Sequence, residues 1–188
     1  MLKVFLVLAL IIPFINVFSQ GFSFYKENIT MKIEKDYFYV TGIYYLKSDR
    51  SKSETLVYPF PVDSSFGAVD SIFVFNLTTN ENIMLKKIKT NYAVFKIDFS
   101  HNSELMIQIA YRQKLLATRA EYILESTISW KKPLDQANYQ LIVPSNMHIC
   151  KFSIPPQDSI ITKKDIVYYW EKFNYMPSEN LIFEYKIK

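Results

Sequence analysis

Apolar and polar residues alternate along much of the chain, which is the pattern of strands with one buried face. Residues 29–34 alternate clearly, and residues 37–46 follow with aromatic and β-branched side chains. Between them Lys35-Asp36 has the character of a tight turn. The three segments together predict a β-hairpin.

The same strand character recurs to the end of the chain. A second hairpin is predicted where residues 83–88 and 92–99 flank Lys89-Thr90-Asn91. Further strands are predicted at residues 55–60, 69–75, 105–113, 122–130, 139–143, 148–154, 166–170 and 181–187. The regular spacing of these strands predicts an all-β fold, an antiparallel β-sandwich of about 11 to 13 strands. At most one short helical turn is expected, near residues 115–120.

The stretch Tyr58-Pro59-Phe60-Pro61 places two prolines two positions apart in one predicted strand. Backbone N–H groups at residues i and i+2 point to the same side of a strand, and proline has none. The prolines therefore remove donors from one side, which predicts a sheet edge. Residues 63–68 should then carry the chain to a second sheet. Because strand edges can pair with partner strands, these four residues are a candidate interaction surface.

The first residues have the pattern of a secretory signal peptide. Lys3 supplies a positive start, and residues 4–17 are apolar apart from Asn16. We expect cleavage between Ser19 and Gln20, which leaves residues 20–188 as a single β-sandwich domain. The alternative is a membrane anchor, but the apolar run is short for a spanning helix and contains Pro13. No transmembrane segment is expected after the signal is removed.

The net charge and the cysteine content restrict the expected class of partner and the expected cellular compartment. The net charge of +4 falls to +3 without Lys3, and the lysines are spread along the chain. A nucleic-acid-binding protein needs a basic face, so no nucleic-acid partner is expected. Cys150 is the single cysteine, which excludes an internal disulfide. An exported protein without disulfides is more typical of a bacterial envelope than of an animal extracellular space.

Candidate nucleophiles and metal ligands are few. His101 lies in a predicted turn beside Ser100 and Ser103, where a solvated histidine is the ordinary interpretation. His148 and Cys150 share a predicted strand face and could form a thiolate pair or bind a soft metal. A lone cysteine in a strand is more often part of the core, which is the interpretation we prefer. No cofactor or metal site is therefore predicted.

Glycoside hydrolysis needs two carboxyl groups that face each other across a cleft. The sequence disperses its carboxylates without a local pattern, at Asp63, Asp70, Asp98, Glu125, Asp135 and Asp158. Three glycines are too few to suggest a phosphate-binding loop. A non-enzymatic protein is predicted, with a hydrolase as the third alternative.

Aromatic residues are the most suggestive feature, with 14 tyrosines and 2 tryptophans. Runs such as Tyr37-Phe38-Tyr39 and Tyr168-Tyr169-Trp170 place rings on both faces of their strands. One face must be core, and the other is either solvated or a binding surface. Exposed Tyr and Trp rings suit sugars and protein partners. A carbohydrate-binding module is therefore the second alternative.

Three segments resemble the vault/inter-alpha-trypsin-inhibitor type domain and related exported domains of unknown function. They are VTGIYYLKS, LVYPFPVDSSFGAVDSIFVF and VFKIDFSHNSELMIQIAYRQKL, within residues 40–115. Phe60-Pro61 resembles the end of that family's F-x-x-P strand, and Ile109-Ala110-Tyr111 its x-I-x-Y pattern. The later stretch WKKPLDQANYQLIVP is similar to pieces of exported domains of unknown function. The resemblance implies a β-sandwich used for interaction.

These observations predict an exported, non-enzymatic β-sandwich that acts as a binding or structural module of the cell envelope. Its expected location is secreted, periplasmic or at the surface of a bacterial cell. The expected partner is an unknown protein or glycan of the envelope, bound through strand edges or exposed aromatic rings.

Overall fold

A computed structural model describes residues 22–124 and 132–187 of the chain. The described residues form fourteen strands and no helix, so the fold is all-β as predicted, with slightly more strands than expected. The strands are β1 (Ser23–Glu34), β2 (Tyr37–Lys47), β3 (Ser53–Pro59), β4 (Phe66–Asn76), β5 (Glu81–Asn82), β6 (Leu85–Ile88), β7 (Tyr92–Asp98), β8 (Glu104–Leu115), β9 (Arg119–Tyr122), β10 (Leu134–Pro144), β11 (Met147–Phe152), β12 (Asp158–Ile161), β13 (Asp165–Tyr175) and β14 (Leu181–Ile187).

The described strands form three sheets. The large sheet has eight strands in the order β12-β13-β10-β1-β2-β8-β4-β5. The β3 sheet has the order β3-β7-β6, and the β14 sheet has the order β11-β14-β9. Pairing is antiparallel in all three, except that β1 and β10 run parallel. The expectation of a purely antiparallel fold is therefore wrong at this pair, because strands so far apart in sequence are not joined by a tight turn that would fix their direction.

The first predicted hairpin is confirmed, and its register follows from the turn. Glu34 pairs with Tyr37, and the ladder continues along β1 and β2. Lys35 has a φ of 56°, so the turn uses a left-handed residue. The second predicted hairpin is also present as β6 and β7, while residues 81–82 form the separate short strand β5.

The predicted sheet edge at the prolines is confirmed for the described residues, among which β3 pairs only with β7. The Phe60 N–H donates to the Asn91 carbonyl at 2.8 Å, toward the β7 side. Pro59 and Pro61, one residue to either side, therefore turn their nitrogens toward the open side. The chain then leaves the β3 sheet and enters the large sheet at β4, as predicted.

A buried glutamine holds the crossing segment between β3 and β4. The Gln113 side-chain amide donates to the carbonyls of Pro61 at 2.9 Å and Gly67 at 3.0 Å. The Asp63 carboxylate in the same segment accepts from Arg119 at 2.6 Å. The path from one sheet to the other is thus fixed by side chains of β8 and β9 as well as by the prolines.

Residues 116–118 form a bend between β8 and β9, so the helical turn allowed near residues 115–120 is not formed. The predicted strand at residues 122–130 is described only as far as residue 124, and Trp130 and Glu125 lie outside the described residues. The predicted signal peptide, with Ser19 and Gln20, lies outside them too. None of the described residues belongs to a helix long and apolar enough to span a membrane.

Both small sheets contact the same face of the large sheet, which we call the inner face. From the β3 sheet, the Tyr58 ring lies 5.8 Å from Tyr44 and 5.9 Å from Tyr111, centroid to centroid. From the β14 sheet, the Phe183 ring lies 6.4 Å from Phe38 and 5.9 Å from Trp170. Buried side chains of all three sheets belong to one hydrophobic core.

Candidate functional site

The four residues of the candidate interaction surface face mostly inward. Tyr58 and Phe60 are only 8% and 2% exposed, Pro61 is buried and Pro59 is partly buried. Alternate residues of a strand share a face, so the two rings lie together on the core side. Tyr58 and Phe60 therefore do not form an exposed patch, and this segment offers a partner only its donor-poor backbone edge.

The histidines and the cysteine lie on the surface and remain apart from other metal-binding groups. His101 is exposed in the turn after β7, and His148 is exposed on β11. Cys150 is also exposed, so the preferred interpretation as a core residue is wrong. Cys150 follows the buried Ile149 on β11, so alternation places its side chain on the exposed face together with that of His148. The described residues contain no cluster of His, Cys, Asp and Glu that could hold a metal ion.

An open cleft of about 350 Å³ lies between β5 and β7, and its lining includes Glu81, Lys86, Lys96 and Asp98. Hydrogen bonds from the Ser100 hydroxyl and backbone N–H lower the pKa of Asp98. A general acid in glycoside hydrolysis needs a raised pKa instead. Although two carboxylates share this cleft, Asp98 is suited to remain ionised rather than to donate a proton.

The face of the large sheet opposite the small sheets, the outer face, carries a group of aromatic rings. Tyr25 comes from β1 and two phenylalanines, Phe73 and Phe75, come from β4. β2 supplies Tyr37, Tyr39 and Tyr45, and β8 lies between β2 and β4. Phe73 is 45% exposed, and its ring stacks on Phe75 with an interplanar angle of 16°. The tyrosine pairs are tilted, by 59° between Tyr25 and Tyr45 and by 50° between Tyr37 and Tyr39.

Cations cover several of these rings. The Lys47 ammonium lies 4.9 Å from the Tyr25 centroid, and the Arg112 guanidinium lies 4.7 Å from the Tyr37 centroid. Arg112 also donates to both oxygens of Asp70, at 2.8 and 3.0 Å, and these bonds lower the pKa of Asp70. The outer face therefore combines aromatic area with fixed charges of both signs, and of these groups the aromatic rings and arginine are types enriched at protein interfaces.

The inner face holds a buried carboxyl group that sequence reasoning missed. Glu27 in β1 is 2% exposed and accepts hydrogen bonds from the hydroxyls of Tyr139 at 2.5 Å and Tyr122 at 3.3 Å. The sequence does contain an indication that position 27 is buried. The alternation of Ile29, Met31 and Ile33 places position 27 on the same buried face when it is continued backward.

The hydrogen bonds at Glu27 continue through further tyrosine hydroxyls. The hydroxyl oxygens of Tyr122 and Tyr44 are 2.8 Å apart, and those of Tyr44 and Tyr58 are 2.7 Å apart. Tyr44 belongs to β2 of the large sheet, Tyr58 to the β3 sheet and Tyr122 to the β14 sheet. One chain of hydrogen bonds, which we call the Glu27 cluster, thus connects all three sheets.

Burial dominates the electrostatics of the Glu27 cluster. It raises the pKa of Glu27 to about 7, while the hydrogen bonds from Tyr139 and Tyr122 act in the opposite direction. Burial also raises the pKa values of Tyr44, Tyr58, Tyr122 and Tyr139 well above the usual range. The carboxyl group therefore titrates near neutral pH while the phenols stay protonated, but its burial keeps it from acting on a substrate in solution.

Comparison of the sequence with protein-family models and with curated proteins finds no match. Comparison of the structure finds a similar fold in a candidate nutrient-binding protein from Legionella pneumophila, with a TM-score of 0.71 and 12% sequence identity. The similarity covers 89% of this chain and 68% of that protein. At this identity the likeness shows a shared fold.

A weaker similarity, with a TM-score of 0.54 and 8% identity, relates the chain to an M1 zinc metallopeptidase from Deinococcus radiodurans. It covers 88% of this chain but only 43% of the peptidase, so the chain spans less than half of that enzyme. Zinc peptidases commonly bind their metal through an H-E-x-x-H helix. In the present sequence His101 and His148 are followed by Asn102 and Ile149, so this motif is not formed.

Proposed function

We propose that the chain is an exported, non-enzymatic β-sandwich that binds a protein partner of the cell envelope across the outer face of its large sheet. The observation that carries this proposal is the set of aromatic rings and fixed charges on the outer face. Tyrosine, tryptophan and arginine are enriched among the few residues that dominate the energetics of protein interfaces. Arg112, Tyr37 and Tyr39 lie together here in that combination.

The sandwich in this proposal is supported by the contacts of the two small sheets. Tyr58 and Phe183 both pack on the inner face, so the small sheets would form one layer and the large sheet the other. The fold shared with a candidate nutrient-binding protein is compatible with a binding role. The resemblance of residues 40–115 to vault/inter-alpha-trypsin-inhibitor type domains fits the same role and is part of this proposal.

The non-enzymatic part of the proposal is supported by the carboxylates. Hydrogen bonds lower the pKa values of Asp63, Asp70 and Asp98, the first from Ser65 and Arg119, the second from Arg112 and the third from Ser100. Groups with lowered pKa values are poor general acids. Glu27 has the raised pKa that an acid needs, but it is sealed in the core.

The experiment compares surface variants of the mature protein in crosslinking to envelope extracts of the source organism. Tyr39→Ala and Phe73→Ala each remove a ring from the outer face, whereas Ile160→Ala removes an exposed apolar side chain at the far edge of the same sheet. We expect the first two variants to lose a crosslinked protein that wild type and Ile160→Ala retain. Equal crosslinking by all four proteins would overturn the proposal.

A carbohydrate-binding module is the second candidate, and the stacked rings of Phe73 and Phe75 favour it. Nearly parallel exposed rings suit the flat faces of sugar rings. Trp170, in contrast, is buried and donates its indole N–H to the Ile154 carbonyl at 2.9 Å, so it cannot serve as a platform. Calorimetry against a glycan panel tests this candidate, with Phe73→Ala as the variant that should abolish binding. A panel without any binding glycan would remove it.

Export is tested separately by N-terminal sequencing of the protein recovered from the source organism. We expect the mature chain to begin at Gln20. A chain that retains Lys3 would contradict cleavage and favour the membrane anchor.

A further inference from the structure

The Glu27 cluster is the part of the molecule where hydrogen bonds that begin at a single ionisable group lead to all three sheets. Tyr139 lies beside Glu27 in the large sheet, and Tyr122 reaches it from the β14 sheet. Tyr44 joins Tyr122 to Tyr58 of the β3 sheet. The hydroxyl contacts between the sheets therefore form one continuous chain that ends at a carboxyl group.

Among the described residues, the groups that interact with the charge of Glu27 are phenols, and none of them is a cation. These groups are Tyr44 of β2, Tyr58 of β3, Tyr122 of β9, Tyr139 of β10 and Tyr175 of β13, with Tyr111 of β8 next to Tyr58. Two further charges act on these tyrosines, that of Glu121 on Tyr111 and that of Glu179 on Tyr175. An unpaired carboxylate in such a site is strongly disfavoured.

A second buried carboxylate shows the difference that a cation makes. Glu54 in β3 is 4% exposed, and the Lys52 ammonium lies 2.8 Å from its Oε1. Glu54 therefore has a cation at hand, whereas the described side chains that bond to the Glu27 carboxyl group are hydroxyl groups. The two residues form a natural pair for comparison, because they have the same side chain and nearly the same burial.

We propose that Glu27 is a pH-sensitive lock, which holds β3 and β9 against the large sheet when its carboxyl group is protonated and loosens them when it is ionised. A neutral carboxyl group satisfies the neighbouring hydroxyls without placing a charge in the core. Ionisation leaves a buried charge that the hydrogen bonds from Tyr139 and Tyr122 offset only in part, so local opening at β3 and β9, which admits water, becomes more favourable. This inference is independent of the partner proposed above.

The direction of the effect follows from the raised pKa. The closed state keeps its proton up to about pH 7, whereas an opened, solvated Glu27 loses it near the ordinary value of 4.5. The opening equilibrium should therefore increase as pH rises from 4.5 to about 7 and then level off. Between pH 5 and pH 8 the expected increase is roughly fiftyfold.

Hydrogen–deuterium exchange of the whole mature protein tests this, after correction for the intrinsic pH dependence of exchange. In wild type, protection of amides in β3 and β9 should fall roughly fiftyfold between pH 5 and pH 8. In Glu27→Gln the protection should be nearly the same at both pH values. Glu54→Gln is the matched control and should retain the wild-type difference.

Wild-type protection that does not change with pH would overturn the proposal, and so would Glu27→Gln with an unchanged pH dependence. If Glu27→Gln does not fold, the side-chain carboxyl carbon of Glu27 can be titrated by NMR in the wild-type protein. A midpoint near 7 that coincides with the loss of protection in β3 and β9 supports the lock. A midpoint near 4.5 overturns it.

Discussion

The two faces of the large sheet use the same residue, tyrosine, in different ways. On the inner face the hydroxyls of Tyr44, Tyr58 and Tyr122 bond to one another and to Glu27. On the outer face the rings of Tyr25 and Tyr37 lie under the charged groups of Lys47 and Arg112. A buried hydroxyl must find a partner in the protein, whereas an outer hydroxyl can bond to water. The inner tyrosines thus specify how the sheets meet, and the outer ones shape a surface.

Gly42 shows how tightly the inner face is fitted around the Glu27 cluster. A Cβ atom added at this position would lie 2.6 Å from the Tyr44 ring and hydroxyl and 2.7 Å from the Ile29 Cδ1 atom. The absent side chain therefore provides the space into which Tyr44 folds. Thr41, the preceding residue, points to the outer face and is exposed.

The largest difference between the faces should appear when neighbouring rings of β2 are removed. Phe38 is fully buried, and Phe38→Ala should lower the free energy of unfolding by about 3–5 kcal/mol because it leaves a cavity. Tyr39 lies on the outer face, and Tyr39→Ala should cost about 1 kcal/mol or less. Urea unfolding of both variants measures this. Similar losses would mean that the outer face is covered.

The second-largest expected effect is a pH dependence of the free energy of unfolding, which arises from Glu27 on the inner face. Because the folded pKa of Glu27 is about 7 and the ordinary value is 4.5, the folded chain retains a proton that the unfolded chain has lost. The free energy of unfolding should therefore decrease by about 3 kcal/mol as pH rises from 4.5 to 7. Denaturant titrations across this range measure the slope, which Glu27→Gln should abolish.

The lowered pKa values of Asp63, Asp70 and Asp98 act in the opposite sense and at lower pH. Their contribution is present above the ordinary pKa of an aspartate and is lost as pH falls through their folded values. The range from pH 4.5 to 7 therefore isolates Glu27. A slope that persists in Glu27→Gln would assign the effect to another group.

Removing single hydroxyls sharpens the comparison. Tyr44→Phe leaves the hydroxyls of Tyr58 and Tyr122 without a shared partner in the core, which should cost about 1–3 kcal/mol. Tyr37→Phe keeps the ring that Arg112 covers and should change stability by less than about 0.5 kcal/mol. Thermal unfolding of the two variants checks this, and an equal effect would contradict the role given to the buried hydroxyls.

Sequence reasoning succeeded where the signal is local. The alternation on both sides of Lys35-Asp36 defined the first hairpin, and the missing donors of Pro59 and Pro61 indicated the edge of the β3 sheet. Both features depend on residues within a few positions of one another. The backbone geometry of a strand or a turn is sufficient to predict them.

The Glu27 cluster escaped prediction because its members are distant in sequence. Tyr122 and Tyr139 lie 95 and 112 positions from Glu27. The parallel pairing of β1 with β10 brings Tyr139 beside Glu27, and no local pattern specifies that pairing. Cys150 escaped for another reason, since the general preference of cysteine for burial was given more weight than its alternation with the buried Ile149.

The smallest expected effect belongs to the outer face. Asp70→Asn weakens the bonds from Arg112 in an exposed position, so the loss of stability should be below about 1 kcal/mol and should shrink as salt is added. Chemical denaturation at low and high ionic strength measures it. A larger loss that does not depend on salt would indicate that Asp70 is shielded from solvent.

Pro59 and Pro61 also limit edge-to-edge association between copies of this chain. An exposed edge strand has unpaired backbone N–H and C=O groups, to which a strand of another molecule can bond. Repeated addition of strands leads to insoluble aggregates. Here the outward nitrogens of Pro59 and Pro61 cannot donate, and the Pro61 carbonyl is already occupied by Gln113. A second copy would form few backbone hydrogen bonds along this edge, so aggregation by strand addition is disfavoured there even at high protein concentration.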